Sequence, residues 1–326
     1  MKRLVHYARR RAASGFYRAI SAVRDFDPRK NLLIFSDPRG GSTWLTEMIS
    51  QVPGTAVLWE PLHLRKVGLF NDVGFCWRQH IPEDEEWKEA EKAFRRVFRG
   101  KVLNRWICPS PGRFLKADRL VVKLCRANAM IPWLTKTFKF EYDPVYLVRH
   151  PFSVAASQLK HGAWDGTSRN FEIPEGRFCE LYHQHADYLS TLGTDYEVRV
   201  ATWCLTNLIP LRSERNNKSW ITVHYEDLLV DSGKETRRIF DRWGLPVPRR
   251  AAERLRKPSA TAKELTFLEG VEAQLSKWRT TFTQAEIKRM SQVLDYFEIE
   301  CYTADDVFPR VSSWRGSHGL EQRSRP

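Results

Sequence analysis

No stretch of the 326-residue sequence approaches the roughly 18 consecutive apolar residues that a membrane-spanning helix requires. The N-terminus also lacks the compact apolar core of a signal peptide, so a cytoplasmic or membrane-peripheral location is expected. Cysteine is sparse: the six residues at 76, 108, 125, 179, 204 and 301 contain no C-x-x-C pair. That spacing argues against a zinc site or a disulfide framework, and no metal is expected. Cys125 and Cys204 lie in apolar contexts and read as small core residues. Internal repeats and clear linkers are absent too. Acidic residues are outnumbered, 39 against 53 Lys and Arg, for a net charge of +14.

Half of that excess sits in residues 1–30, where nine basic residues face two Asp. With Leu4, Tyr7, Phe16, Ile20 and Val23 among the arginines, this segment reads as a loosely amphipathic basic helix. Docking on the domain, disorder or peripheral contact with an acidic membrane all fit that composition. The remaining mild surplus suits a solvated surface or an anionic ligand. Zinc-finger spacing, an aromatic RNA-binding signature and a long basic helix are all missing, so a nucleic-acid partner is not expected.

What is present supports a sizeable core: 42% of residues are hydrophobic, with 18 Phe, 12 Trp and 10 Tyr. Short apolar runs at Asn31–Ser36, Val57–Glu60, Leu120–Leu124, Val145–Val148 and Trp220–His224 read as buried strands. Helical spacing follows at Trp44–Gln51, Glu83–Phe98, Ala129–Phe138, after Pro151 to Leu159, at Arg199–Arg212, Gly233–Trp243, Ala262–Leu275 and Gln284–Phe297. Residues 161–195 read as an irregular surface insertion. Strands alternating with helices predict an α/β fold, a parallel sheet flanked by helices, over residues 31–305. Residues 1–30 and 306–326 are read as flanking segments.

The loop after the first strand, Asp37-Pro38-Arg39-Gly40-Gly41-Ser42-Thr43-Trp44, carries the first chemical signal. Backbone N–H groups at a helix N-terminus grip anions, and the glycines permit close approach. Ser42 and Thr43 add hydroxyls, and Arg39 adds a planar cation. No Lys follows the glycines as a P-loop NTPase demands, which counts against a nucleotide kinase.

Pro38 to Leu45 resembles the 5′-phosphosulfate loop of sulfotransferases that use 3′-phosphoadenosine-5′-phosphosulfate (PAPS), whose usual form is P-[KR]-[ST]-G-[ST]-[ST]-x-L. Gly40 departs from that pattern, replacing a hydroxyl residue, and Asp37 is unexpected beside an anion. Val145 to Pro151 followed by Ser157 resembles the family's 3′-phosphate motif, a strand ending in Arg149 with a helical Ser eight positions on. Tyr225-Glu226-Asp227-Leu228 is similar to the family segment whose Tyr lies by the adenine. Lys257 to Thr261 and Leu275 to Trp278 resemble the closing loop, in which Ser259 and Lys277 reach the phosphates. The resemblance implies a P-loop NTPase-like sulfotransferase fold, PAPS as donor and PAP as product.

On the acceptor side, Glu60 stands 21 residues after Arg39, in Leu58-Trp59-Glu60-Pro61-Leu62-His63. That context is similar to Golgi-type carbohydrate and tyrosylprotein sulfotransferases, which implies Glu60 as general base. His63 is the competing base, and a solvated strand-end carboxylate is the plain alternative for Glu60. Lys123 resembles a family Lys that stabilises charge on the bridging oxygen; a solvent-facing strand Lys is its plain alternative. The acceptor is expected to be a hydroxyl of a glycan, with a peptide tyrosine, a lipid headgroup or a small alcohol as the other classes.

Overall fold

The computed structural model describes residues 14–161, 170–255 and 270–310. Five strands, β1 (Leu32–Ser36), β2 (Thr55–Trp59), β3 (Arg119–Cys125), β4 (Val145–Val148) and β5 (Ile221–His224), form one sheet. Their order is β2-β3-β1-β4-β5, and every pairing is parallel. β1 and β4 are buried along their whole length, the pattern of strands covered on both faces.

The main helices are α1 (residues 14–23), α2 (Ser42–Ile49), α3 (Lys88–Phe98), α4 (Ile131–Thr137), α5 (Pro151–Leu159), α6 (Asp195–Arg212), α7 (Tyr225–Val230), α8 (Ser232–Trp243), α9 (Lys277–Thr281) and α10 (Gln284–Tyr296). Local chemistry explains several ends. Thr194 caps α6 by accepting from Glu197 N–H, and Thr283 with Glu286 forms a reciprocal capping box on α10. Gly244, at φ 63°, closes α8 in the left-handed conformation.

Some boundaries differ from those expected. α3 begins at Lys88 rather than Glu83, because the acidic Glu83–Glu86 stretch lies in the turn before it. α6 starts at Asp195 rather than Arg199, directly after its Thr cap. The stretch expected as an irregular insertion contains short helices at Glu180–His183 and Ala186–Ser190, whose Tyr182 and Leu189 reach the core. Of the helix expected over Ala262–Leu275, the described part is Val271–Leu275.

Register sets the site. Ser36 pairs with Cys125 and Leu147, Trp59 with Lys123, and Val148 with His224, so the carboxyl ends of the strands lie along one edge. β1 runs on towards β2 on one side of the sheet and β4 towards β5 on the other. The crevice between β1 and β4 is therefore the topological switch point where open α/β sheets bind ligands.

The basic N-terminal segment docks on this body from α1 onward. Tyr17, Ile20 and Phe26 are buried, and Phe26 packs edge-on against Phe114 at 5.0 Å. Arg24 donates to the Ala117 carbonyl, and Arg99 pairs with Asp25. Of the apolar residues read for a membrane contact in this segment, Ile20 is buried and Phe16 and Val23 are exposed, while Leu4 and Tyr7 lie outside the described residues.

Candidate active site

One polar or aromatic residue follows each strand directly: Asp37, Glu60, Arg126, Arg149 and Tyr225. Three charged residues here, Arg39, Glu60 and Arg126, have φ of 73°, 42° and 78°. That conformation is costly for any residue but glycine, and such strain concentrates where side chains must be aimed.

The loop after β1 joins the segment after β4. Arg39 Nε donates to Ser157 Oγ at 3.0 Å, and Arg149 Nη1 donates to the Arg39 carbonyl at 3.2 Å. Ser157, read from the sequence together with Arg149, thus meets Arg39 of the donor loop. The Arg149 guanidinium lies 4.3 Å from the Tyr225 ring centroid, and Trp203 Nε1 holds the Arg149 carbonyl at 3.1 Å. Trp44 meets Tyr225 edge-on at 6.4 Å. Burial, and then the charge of Arg149, lower the Arg39 guanidinium below its ordinary value. Arg149 Nε is buried and has no hydrogen-bond partner among the described residues. Two repelling guanidinium groups and an orphaned donor make a fitting receptor for a multiply charged anion such as a nucleotide phosphate.

Two glycines are dictated here. A Cβ on Gly41, which has φ 95°, would stand 2.5 Å from Tyr225 Cδ2. A Cβ on Gly40 would stand 2.4 Å from Ser36 Oγ and 3.0 Å from the Asp37 carbonyl oxygen, so a larger residue there requires Ser36 to turn. Ser42 turns inward, its Oγ 3.5 Å from Cys125 Sγ. Asp37 is also turned away from the crevice: Asn207 Nδ2 donates to it at 2.7 Å and Thr206 Oγ1 at 3.3 Å. Burial pushes its pKa up to about 6 against those hydrogen bonds. Asp37 is thus a strut between β1 and α6.

Lys123 is buried at 3% exposure, so it does not face solvent. Its Nζ donates to Glu60 Oε1 at 3.0 Å and to Thr43 Oγ1 at 3.2 Å, and lies 3.6 Å from the Trp59 ring centroid. Arg126 Nη1 donates to Glu60 Oε2 at 3.1 Å. Glu60 is therefore a paired carboxylate rather than a solvated one. Burial would raise its pKa; the charges of Lys123 and Arg126, with their hydrogen bonds, outweigh burial and hold it below the ordinary value. His63 stands edge-on to Trp77 at 5.5 Å and Trp106 at 5.1 Å, and its buried Nδ1 has no hydrogen-bond partner among the described residues. Burial and then Arg126 lower its pKa below the ordinary value, against the nearby Glu60.

Arg126 was missed in the sequence because the third apolar run was ended at Leu124. The position directly after each strand of a parallel sheet is where ligand contacts arise, and that rule, which singles out Arg149, also singles out Arg126. Lys277 is half-buried at the start of α9, whose Trp278 stacks on His150 at 5.0 Å. Ser259 lies outside the described residues. Among the described residues, no helix is long and apolar enough to cross a membrane.

Residues 31–249 match the model of the Sulfotransferase family. No curated protein matches the chain. Among solved structures, mouse sulfotransferase SULT7A1 complexed with PAP is 13% identical, covering 88% of this chain and 90% of that one at a TM-score of 0.41. The sulfotransferase domain from the Synechococcus PCC 7002 olefin synthase is 19% identical, with 84% and 96% covered and a TM-score of 0.44. The sulfotransferase domain from the curacin biosynthetic pathway is 17% identical, with 82% and 98% covered and a TM-score of 0.42. With its parallel sheet and a family match spanning two-thirds of its length, the chain belongs to the sulfotransferase family and is a PAPS-dependent sulfotransferase.

Proposed function

We propose that this enzyme sulfates a carbohydrate hydroxyl, with Glu60 as general base and Lys123 as the cation at the leaving oxygen. The observation that carries this reading is the chain Glu60–Lys123–Thr43, which spans from the acceptor-side carboxylate to the donor loop in two contacts of 3.0 and 3.2 Å. Bound PAPS supplies the sulfuryl group and leaves as PAP. Arg39, the Gly40–Thr43 loop and Lys277 are assigned to the 5′-phosphosulfate, Arg149 and Ser157 to the 3′-phosphate, and Tyr225 and Trp44 to the adenine side.

Sulfuryl transfer is an in-line displacement, so positioned charge carries most of the catalysis. Glu60 accepts the acceptor's proton as its oxygen bonds to sulfur. The bond from sulfur to the phosphate oxygen breaks, and the electron pair goes to that oxygen, which Lys123 stabilises. Lys123 serves both ends, since an ammonium that turns from Glu60 towards the leaving oxygen also raises the basicity of the carboxylate it releases. Trp77 and Trp106, both half-buried on the acceptor side, offer faces on which a sugar ring can stack.

His63 is a second reading for the base, favoured by its buried Nδ1, which has no hydrogen-bond partner among the described residues, and by its lowered pKa. Labelled PAPS with a glycan array identifies the acceptor class, and failure to label any glycan would remove the carbohydrate assignment. With an acceptor in hand, Glu60→Gln is expected to lower kcat by about 10²–10⁴-fold with PAP affinity unchanged. Near-normal turnover in Glu60→Gln with loss in His63→Ala would move the base to His63.

A further inference from the structure

Beside the reaction centre the chain after β2 and the segment from Phe171 enclose a groove of about 430 Å³, lined in part by Arg65, Phe75, Trp77, Arg78, Glu172 and Ile173. Trp77 connects it to the chemistry. The Arg126 guanidinium lies 5.2 Å from the Trp77 ring centroid, and Arg126 in turn reaches Glu60 at 3.1 Å. A molecule seated against Trp77 is thus one side chain away from Glu60's partner.

Arg78 is the unusual element of this wall. Its backbone is held at φ 64°, and its carbonyl accepts from the Tyr182 hydroxyl. Its Nη1 donates to Thr202 Oγ1 at 3.1 Å, and its guanidinium lies 4.8 Å from the Phe171 ring centroid. Every one of these partners is neutral, and among the described residues Arg78 forms no ion pair. Burial lowers its pKa, with Tyr182, Cys76 and Glu172 opposing. Arg65 adds a second, exposed guanidinium to the lining, against one exposed carboxylate, that of Glu172, among the described residues. A half-buried arginine held by neutral groups carries a desolvation cost, and an anion seated beside it recovers that cost.

We infer that this groove is the acceptor subsite and that it selects an acceptor bearing a carboxylate near the hydroxyl to be sulfated. The inference rests on the reading of the Glu60 end as the acceptor side; it does not require the acceptor to be a sugar. An arginine offers two parallel donors to a carboxylate, and Trp77 and Phe75 supply the apolar wall for the rest of the molecule.

The test measures binding to the PAP-saturated protein by calorimetry, using two matched pairs of probes. One pair is methyl β-D-glucuronide and methyl β-D-glucoside; the other is 4-hydroxyphenylacetate and its neutral amide. A charge-assisted contact is worth roughly tenfold or more in affinity, so the anion of at least one pair should bind at least that much more tightly than its neutral partner. Arg78→Gln should erase the preference. Arg78 also packs on Phe171, so Arg65→Glu, at an exposed position, gives a second variant, and it should reduce the preference by several-fold. A preference confined to the phenol pair would remove the carbohydrate reading and keep this one. Absence of any anion preference in both pairs, or a preference untouched by both variants, would overturn the inference. The base assignment is tested by turnover and this subsite by binding, so the two fail separately.

Discussion

Arg39 and Ser157, 118 residues apart, share a hydrogen bond of 3.0 Å at the crevice between β1 and β4. That contact, with the bond from Arg149 to the Arg39 carbonyl, makes one cationic receptor out of two segments that the sequence shows separately. It also means that substitutions on one side of the receptor are felt on the other.

Arg149→Ala should weaken PAP binding by about 2–4 kcal/mol, since a charge-assisted contact to a buried phosphate is lost. Ser157→Ala should cost less, about 1.5 kcal/mol, because it removes one hydrogen bond to a charged group but no charge. Calorimetry with PAP checks both. Unchanged affinity in a folded Arg149→Ala protein would remove this residue from the donor site.

Arg126 is expected to act through Glu60. Removing one of two cations from a mostly buried carboxylate lets burial raise its pKa. Arg126→Gln should therefore shift the acidic limb of the kcat/KM profile to higher pH. Arg126→Lys should restore part of that shift. A pH–rate profile that stays in place while stability falls would show that Arg126 only supports the fold.

Glu226 is fully buried, accepting from His150 N–H and bonded to the Tyr302 hydroxyl, each at 2.9 Å. Burial pushes its pKa up to about 7, against those hydrogen bonds. The folded state therefore holds a proton that the unfolded chain releases from near pH 4.5 upward. The contribution of this group to stability falls as pH rises from that value through about 7. His150, lowered to about 4 by burial, works in the opposite direction between that value and its ordinary 6.5. Glu226→Gln should remove the first effect, so the Tm of the variant should gain on the wild type as pH rises from about 4.5 to about 7.5. A constant difference in Tm across that range would refute the assignment.

Phe26 anchors the N-terminal segment between Phe114 and the Gly100 turn. Phe26→Ala should cost about 3–5 kcal/mol by the usual penalty for emptying an aromatic site. Deleting residues 1–13 should leave denaturant midpoints unchanged, whereas deleting 1–28 should lower them clearly. Equal midpoints for both truncations would show that the docked helix contributes nothing.

Local pattern carried much of the architecture and the donor motifs. Apolar runs of strand length alternating with helical spacing decided the parallel sheet, because both faces of such strands must be apolar. The glycine loop after β1 and the Arg following β4 stood out because particular residue types at strand ends suit anion binding, the role proposed for them. Pairing across the sheet decided the rest. Whether Lys123 faces solvent or Glu60 depends on the register of β2 against β3, which no single segment encodes. Asp37 had no rationale until α6 brought Asn207 and Thr206 to it. Arg126 and Arg78 look like ordinary charged residues in one dimension. Only tertiary contacts distinguish them: Arg126 meets Glu60 and the Trp77 ring, and Arg78 meets Thr202, Tyr182 and the Phe171 ring, each of these partners far away in the chain.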